Sequence, residues 1–162
     1  MKKIILILGL FIAFHSTNAS GLYHGIDVDK IYSNGDWSNK EYIYQIINDY
    51  DLFLRLQQKF EKCPVELPDS INCYDMITME VLQNFYNEFD VNWTDYMEFK
   101  KAAMNIYAVP TCQNKFLGSG GIMCNVDAQL YVAEVIRRYI KTLFSSINQV
   151  FDEHYSFLCD YK

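Results

Sequence analysis

The sequence predicts an all-α protein: a small bundle of about four helices that ends in a long C-terminal helix and is stabilised by disulfides. Apolar residues recur every three or four positions through most of the chain, as a buried helix face requires. No segment of comparable length alternates apolar and polar residues in the manner of a half-buried strand. The N-terminus has a pattern typical of secretion signals, and all five cysteines come after it. Export would place these cysteines in an oxidising compartment, where disulfides form.

Residues 1–19 have the pattern of a cleavable secretion signal. Lys2 and Lys3 precede an apolar run over 4–14, and small or polar residues follow up to Ala19. This run is shorter than the roughly 20 apolar residues that span a bilayer. We therefore expect cleavage after Ala19, a periplasmic or secreted location, and no stable membrane insertion of the mature chain.

Two regions follow the leader, an irregular N-terminal arm over 20–37 and a single helical domain over 38–162. Glycine, asparagine and aspartate interrupt any regular period in the arm. The first helix should begin at Ser38, whose hydroxyl can cap the free amides while Glu41 completes a capping box. Pro64 should end this helix, because proline has no amide hydrogen and its ring clashes with the preceding turn.

The second and third helices are bounded by cap residues and prolines. The second should start at Asp69 or Ser70, just after a proline, and run as far as Phe89. The third should start at Thr94, a suitable cap residue, and end at Pro110.

The last helix is predicted over 126–158, after a loop over 110–125. Its apolar positions are separated alternately by four and three residues, which places them on one face of a helix in a bundle. This stripe consists of Ile136, Ile140, Leu143, Ile147, Val150 and His154.

The five cysteines are expected to form two disulfides and leave one thiol, and the sequence leaves several arrangements open. We favour the short-range pairs Cys63 with Cys73 and Cys112 with Cys124. Each short loop closed in this way contributes up to about 3 kcal/mol of stability. Cys159 is then the odd thiol, available to link a homodimer or to be buried.

A glycine-rich loop before the last helix is the predicted site of contact with a partner. The candidate contact loop consists of Phe116, Leu117, Gly118, Ser119, Gly120 and Gly121. Loops on a rigid scaffold frequently carry recognition, and an aromatic content of 16% leaves rings for the surface. The loop lacks the Gly-Lys-Ser/Thr ending of a phosphate-binding loop.

The sequence contains no recognisable constellation for catalysis or metal binding. The mature part has two histidines, His24 in the arm and His154 on the apolar stripe, where we expect a core or boundary residue. Zinc motifs are missing, and the acidic residues around Gly35 do not have the register of a calcium loop. We therefore expect no cofactor, no metal site, no catalytic residues and no enzymatic activity.

The negative net charge of the chain limits the classes of molecule that it is expected to bind. The net charge is −6, and loss of the two leader lysines makes it more negative, which disfavours nucleic acid and favours a protein with a basic surface. Arg137, Arg138 and Lys141 form a basic cluster on the last helix. Glu134 lies four residues before Arg138, which indicates an ion-paired, solvated face rather than a specific contact with an anion.

These features predict an exported, non-enzymatic protein that binds another protein, as inhibitors, immunity proteins and secretion or conjugation accessories do. One alternative is a carrier of an apolar small molecule, held in a cavity between helices. Aromatic side chains and four methionines are expected to line that cavity; the methionines are Met76, Met79, Met97 and Met104. A second alternative is a hydrolase that uses carboxylates which the sequence cannot group in space.

Overall fold

A computed structural model describes residues 21–85, 92–113 and 120–161, without the side chains of 107–113 and 120–125. In these ranges the chain forms α-helices and one short 3₁₀ helix, and no strand. The elements are α1 Val28–Asn34, α2 Lys40–Glu61, α3 Asp69–Asn84, α4 Trp93–Gln113, α5 Gly120–His154 and the 3₁₀ helix Ser156–Tyr161. The predicted all-α class with a long C-terminal helix is confirmed.

Contacts between Cα atoms divide the chain into two compact units. Unit 1 comprises Met1–Asn48 and Phe157–Lys162, and unit 2 comprises Asp49–Ser156. The expected leader lies outside the described residues, so its cleavage and the expected domain boundaries stay predictions.

The segment over 20–37, expected to be irregular, contains α1. The side chain of Asp27 accepts a hydrogen bond from the backbone N–H of Lys30 at 3.0 Å and so caps this helix. Val28 in its first turn is buried. The arm is therefore not irregular over Val28–Asn34. The sequence pattern missed this helix because one cap and one buried side chain do not produce a recognisable helical period.

Asn39, rather than Ser38, caps α2. Its side-chain oxygen accepts a hydrogen bond from the backbone N–H of Tyr42 at 2.9 Å. Asparagine and serine are about equally good caps, so the choice between neighbouring candidates depends on the path of the preceding chain. The predicted helix is present, and its start moves to Lys40.

The start of α4 is fixed by a reciprocal pair of side-chain hydrogen bonds. Asn92 accepts hydrogen bonds from the backbone N–H groups of Thr94 and Asp95, and Asp95 accepts one from the backbone N–H of Asn92. The helix therefore begins at Trp93, one residue before the predicted Thr94.

Pro110 does not end α4, which continues to Gln113. A proline inside a helix removes one backbone hydrogen bond and costs about 3 kcal/mol in isolation. We attribute its tolerance to the packing of α4 against α5. Phe89, the expected end of the preceding helix, lies outside the described residues, and α3 ends at Asn84.

The predicted stripe on α5 is buried over most of its length. Ile136 and Ile140 are fully buried, and Leu143 and Ile147 are nearly so. His154 is exposed, so the expectation of a core or boundary histidine is wrong. It is the last residue of α5, where a side chain is no longer covered by the neighbouring helices.

Phenylalanine rings form the centre of unit 2. The ring of Phe53 on α2 is fully buried. Its centroid lies 5.8 Å from that of Phe144 and 5.7 Å from that of Phe151, both on α5. It also lies 6.4 Å from the centroid of Phe85 at the end of α3. One ring therefore connects three helices through contacts of the kind that aromatic pairs prefer.

Cys63 and Cys73 form a disulfide between the segment that follows α2 and the second turn of α3, which confirms the predicted pair. Their Cα atoms are 5.8 Å apart. The side chains of Cys112 and Cys124 are outside the described part, so that pair stays a prediction. Cys159 is exposed and makes no disulfide among the described residues.

Candidate functional site

The structure describes only the C-terminal end of the candidate contact loop. Residues 116–119 lie outside the described ranges, whereas Gly120 and Gly121 form the first turn of α5. The last helix therefore begins six residues before the predicted start at 126. The two glycines are corrected from loop to helix, because the first turn of a helix tolerates residues of low propensity when later turns are packed.

The helices on either side of this loop carry large apolar side chains that are exposed. Ile106 on α4 is 67% exposed, and Val126 on α5 is 46% exposed. We call the exposed large apolar residues of these two helices the α4–α5 apolar surface; they are Trp93, Met97, Phe99, Ile106, Val126, Leu130 and Tyr131. Exposed apolar side chains concentrated on neighbouring elements are typical of interaction surfaces.

An open groove of about 800 Å³ lies along α5 in unit 2. On α5 its lining extends from Leu130 to Asn148, which is about 27 Å along the helix axis. Phe60, Tyr74 and Phe144 form its floor, with ring centroids 5.6 Å apart both for Phe60–Tyr74 and for Phe60–Phe144. We call this feature the α5 groove.

In the basic cluster of the last helix, Arg138 forms an ion pair with Glu134, whereas Arg137 and Lys141 line the α5 groove. Arg138 donates a hydrogen bond to Glu134 at 2.9 Å, and this bond lowers the pKa of the Glu134 carboxyl. The predicted ion pair is therefore confirmed. Arg137, 3.5 Å from Glu134, lines the groove together with Lys141. Lys141 is exposed and has no ion-pair partner among the described residues.

Ser70 brings a buried hydroxyl to the lining of the same groove. The residue is 2% exposed, and its Oγ has no hydrogen-bond partner among the described residues. A buried hydroxyl without a partner costs about 1–3 kcal/mol. This cost is recovered when a molecule in the groove supplies a donor or an acceptor.

Unit 1 contains a second, smaller groove of about 470 Å³. Aromatic residues Trp37, Phe157 and Tyr161 line it, with Trp37 and Phe157 in an edge-to-face contact at 5.7 Å between centroids. Asp160 and Lys30 also line it, so charges of both signs border this groove.

A cluster of ionisable groups joins α3 to α4 inside unit 2. Buried Tyr96 donates a hydrogen bond to Asp75 at 2.6 Å, and Lys100 donates one to the other carboxylate oxygen at 2.5 Å. Burial and the hydrogen bond to Asp75 raise the pKa of Tyr96 far above its usual value. All three groups have partners within the cluster, which is the arrangement of a structural link between helices.

The histidines and carboxylates stay scattered in the described part of the chain. His24 Nδ1 lies 3.2 Å from the hydroxyl of Tyr161, and His154 is exposed at the end of α5. Within the described ranges, no three or more of the His, Cys, Asp and Glu side chains come together as a metal site would require. None of the helices there is both long enough and apolar enough for a membrane crossing.

The four methionines proposed for a ligand cavity do not line either groove. Met76, Met79 and Met97 are exposed, and Met104 is half-buried. The methionine part of the lining expected for a carrier is therefore absent from these two grooves, whereas aromatic residues line both of them. Sequence reasoning missed the α5 groove because its lining comes from separate segments. The available signal was the spacing of Arg137, Lys141 and Phe144 along one side of α5.

Comparison with protein-family models, with curated proteins and with solved structures gives no match. Function is therefore inferred from the residues of this chain and their surroundings.

Proposed function

We propose that this chain is an exported, non-enzymatic protein that binds another protein through the α4–α5 apolar surface and the candidate contact loop between these helices. The observation that carries the proposal is the exposure of large apolar side chains, above all Ile106 and Val126, on both helices that flank the loop. Burial of such side chains against a partner recovers about 25 cal/mol for each Å² of apolar surface removed from water.

The net charge supports a partner with a basic surface. At −6, the chain attracts positively charged proteins over distances of about one Debye length, roughly 8 Å at physiological salt. Electrostatic attraction of this kind raises the association rate more than the final affinity. Association should therefore slow as salt is added, while the apolar contacts keep the complex together.

Export to the periplasm or out of the cell belongs to the same proposal. The Cys63–Cys73 disulfide supports it, because such bonds persist in oxidising compartments. The mass of the intact protein purified from cells that express the full chain, with and without reduction, tests cleavage after Ala19 and counts the disulfides. A full-length chain with five reduced cysteines would contradict export.

The binding proposal is tested by comparing variants in a capture experiment. The immobilised protein is exposed to the exported protein fraction at physiological salt, and retained proteins are identified by mass spectrometry. The double variant Ile106→Asp/Val126→Asp should reduce the amount of captured partner at least tenfold. Met76→Asp is the matched control, since Met76 is 57% exposed on α3 and lies outside the α4–α5 apolar surface. Equal capture by both variants would contradict the proposed surface, and an acidic partner would contradict the charge argument.

A further inference from the structure

We infer that the α5 groove is a binding site for a small amphiphilic anion, an individual molecule with an apolar body and one carboxylate. This site shares Leu130 with the α4–α5 apolar surface, whereas Ile106 and Val126 of that surface do not line it. Its volume of about 800 Å³ falls within the range of roughly 300–1,000 Å³ found for small-molecule sites.

The floor of the groove suits the apolar body of such a ligand. Tyr74 and Phe144 are buried, and Phe60 is half-buried between them, so the exposed part of the Phe60 ring is the aromatic surface that a ligand can cover. Val65, between Cys63 and Cys73, is 88% exposed and also lines the groove. An apolar chain that contacts Val65 and Phe60 removes both side chains from water.

The α5 side of the groove suits an anionic head group. Glu134, which lines the groove, is ion-paired with both Arg138 and Arg137, so Lys141 is the lining cation without an ion-pair partner among the described residues. Glu61 on α2 is the remaining carboxylate in the lining. Three cations and one carboxylate on this part of α5 leave its balance positive, and the Lys141 ammonium can donate a hydrogen bond to the carboxylate of a ligand.

The hydroxyl of Ser70 is an independent indication of a ligand. It is buried, it belongs to the lining, and no described protein group satisfies it. Native proteins rarely leave a buried hydroxyl without a partner. Because the carboxylate is the only polar group of the ligand, the proposal requires it to accept hydrogen bonds from both Ser70 and Lys141.

The test measures binding of dodecanoate, below its micellar concentration, to the purified protein by isothermal titration calorimetry. Dodecyltrimethylammonium, with the same alkyl chain and the opposite charge, is the comparison ligand. Dodecanoate should bind at least tenfold more tightly. Lys141→Gln should weaken dodecanoate binding about tenfold, the loss expected for a charge-assisted hydrogen bond. Lys101→Gln, an exposed lysine on α4 outside the lining, should leave binding unchanged.

A steric pair of variants checks the location of the ligand. Ser145→Trp places a large ring in the groove at an exposed lining position and should abolish binding. Ser146→Trp, at the next exposed position but outside the lining, should retain it. Ser70→Ala should weaken dodecanoate binding several-fold without lowering the thermal stability of the free protein, because its hydroxyl has no partner to lose.

Several results would overturn the inference. These are equal affinity for the two alkyl ligands, equal effects of Lys141→Gln and Lys101→Gln, full binding by Ser145→Trp, or no binding of dodecanoate at any submicellar concentration. Binding only to vesicles that contain a fatty acid would also overturn it, since the site is proposed for an individual molecule. None of these results bears on protein capture through Ile106 and Val126, so the two proposals fail separately.

Discussion

Unit 1 and unit 2 use their aromatic side chains in different ways. In unit 2, Phe53, Phe144 and Phe151 are buried and pack against one another. In unit 1, Tyr23 and Trp37 are half-buried at the surface, where the Tyr23 hydroxyl donates to Asn48 at 2.6 Å. The buried positions of unit 1 are aliphatic instead: Val28, Ile43, Ile46, Ile47 and Leu158.

The polar atoms of the rings contribute to this difference. Phenylalanine has none and can be buried without a partner, whereas tyrosine and tryptophan need hydrogen-bond partners or water, as buried Tyr96 of unit 2 has in Asp75. Stability should therefore depend strongly on single buried rings of unit 2 and weakly on the half-buried rings of unit 1.

Phe53→Ala should have the largest effect, because it leaves a cavity among rings from three helices. We expect the free energy of unfolding to fall by about 3–5 kcal/mol. Urea denaturation followed by circular dichroism measures this change. Phe99→Ala is the control, since Phe99 is 37% exposed and should cost far less. Equal losses for the two variants would remove the distinction between buried and exposed rings.

Loss of the Cys63–Cys73 disulfide should come next. The double variant Cys63→Ser/Cys73→Ser frees a short loop in the unfolded chain and should lose up to about 3 kcal/mol of stability. The same denaturation measurement applies. Cys159→Ser should change stability by less than about 0.5 kcal/mol, because Cys159 is exposed and makes no disulfide in the described part of the chain. A larger effect of Cys159→Ser than of the double variant would contradict this assignment.

Two tyrosines of unit 2 provide a sharper test of the role of polar atoms. Tyr96→Phe removes the hydrogen bond to Asp75 and should cost about 1.5–3 kcal/mol, the range for a bond to a charged group. Tyr139→Phe should be neutral or slightly stabilising, because the Tyr139 hydroxyl is buried without a partner among the described residues. If thermal melts reverse this order, the hydrogen bond of Tyr96 does not stabilise the fold.

The raised pKa of Tyr96 predicts how stability changes in alkali. Burial and Asp75 favour the protonated phenol in the folded chain, whereas an unfolded tyrosine loses its proton near pH 10. The stabilisation is complete below about pH 10 and is lost as the pH rises above it, because the unfolded state then binds fewer protons than the folded state. Denaturation midpoints between pH 8 and 11 should fall less steeply for Tyr96→Phe than for the native sequence.

The smallest effect is expected in unit 1, at the residue that follows α1. A Cβ atom on Gly35 would approach Nε1 and Cδ1 of Trp37 closer than real atoms do, so Gly35→Ala must displace the indole ring. We expect a loss of about 1 kcal/mol, at the low end for overpacking, because Trp37 is only half-buried and can shift. Tryptophan fluorescence should report the displacement. An unchanged spectrum and unchanged stability would show that the ring is not held in place.

Local sequence signals place the starts of α2, α3 and α4 to within one or two residues. Asp69 was predicted correctly, whereas the starts at Ser38 and Thr94 moved by one or two residues, to Lys40 and Trp93. Neighbouring residues offer equivalent caps, and the choice among them depends on contacts made elsewhere in the chain. The sequence carries only one part of the α5 groove, the spacing of Arg137, Lys141 and Phe144 on α5. The other lining residues are far apart in sequence and meet these three only after α2 and α3 pack against α5.

Spacing along the chain was enough to predict the all-α class, the buried stripe from Ile136 to Ile147 and the ion pair of Glu134 with Arg138, and it favoured the Cys63–Cys73 pair among several arrangements. These depend on spacing along the chain, which a helix or a short loop converts directly into proximity. Only the tertiary structure decided that α4 continues past Pro110, that His154 is exposed, and that Ser70 and Lys141 line one groove. Those outcomes depend on which surfaces of different helices cover one another, and no local pattern contains that information.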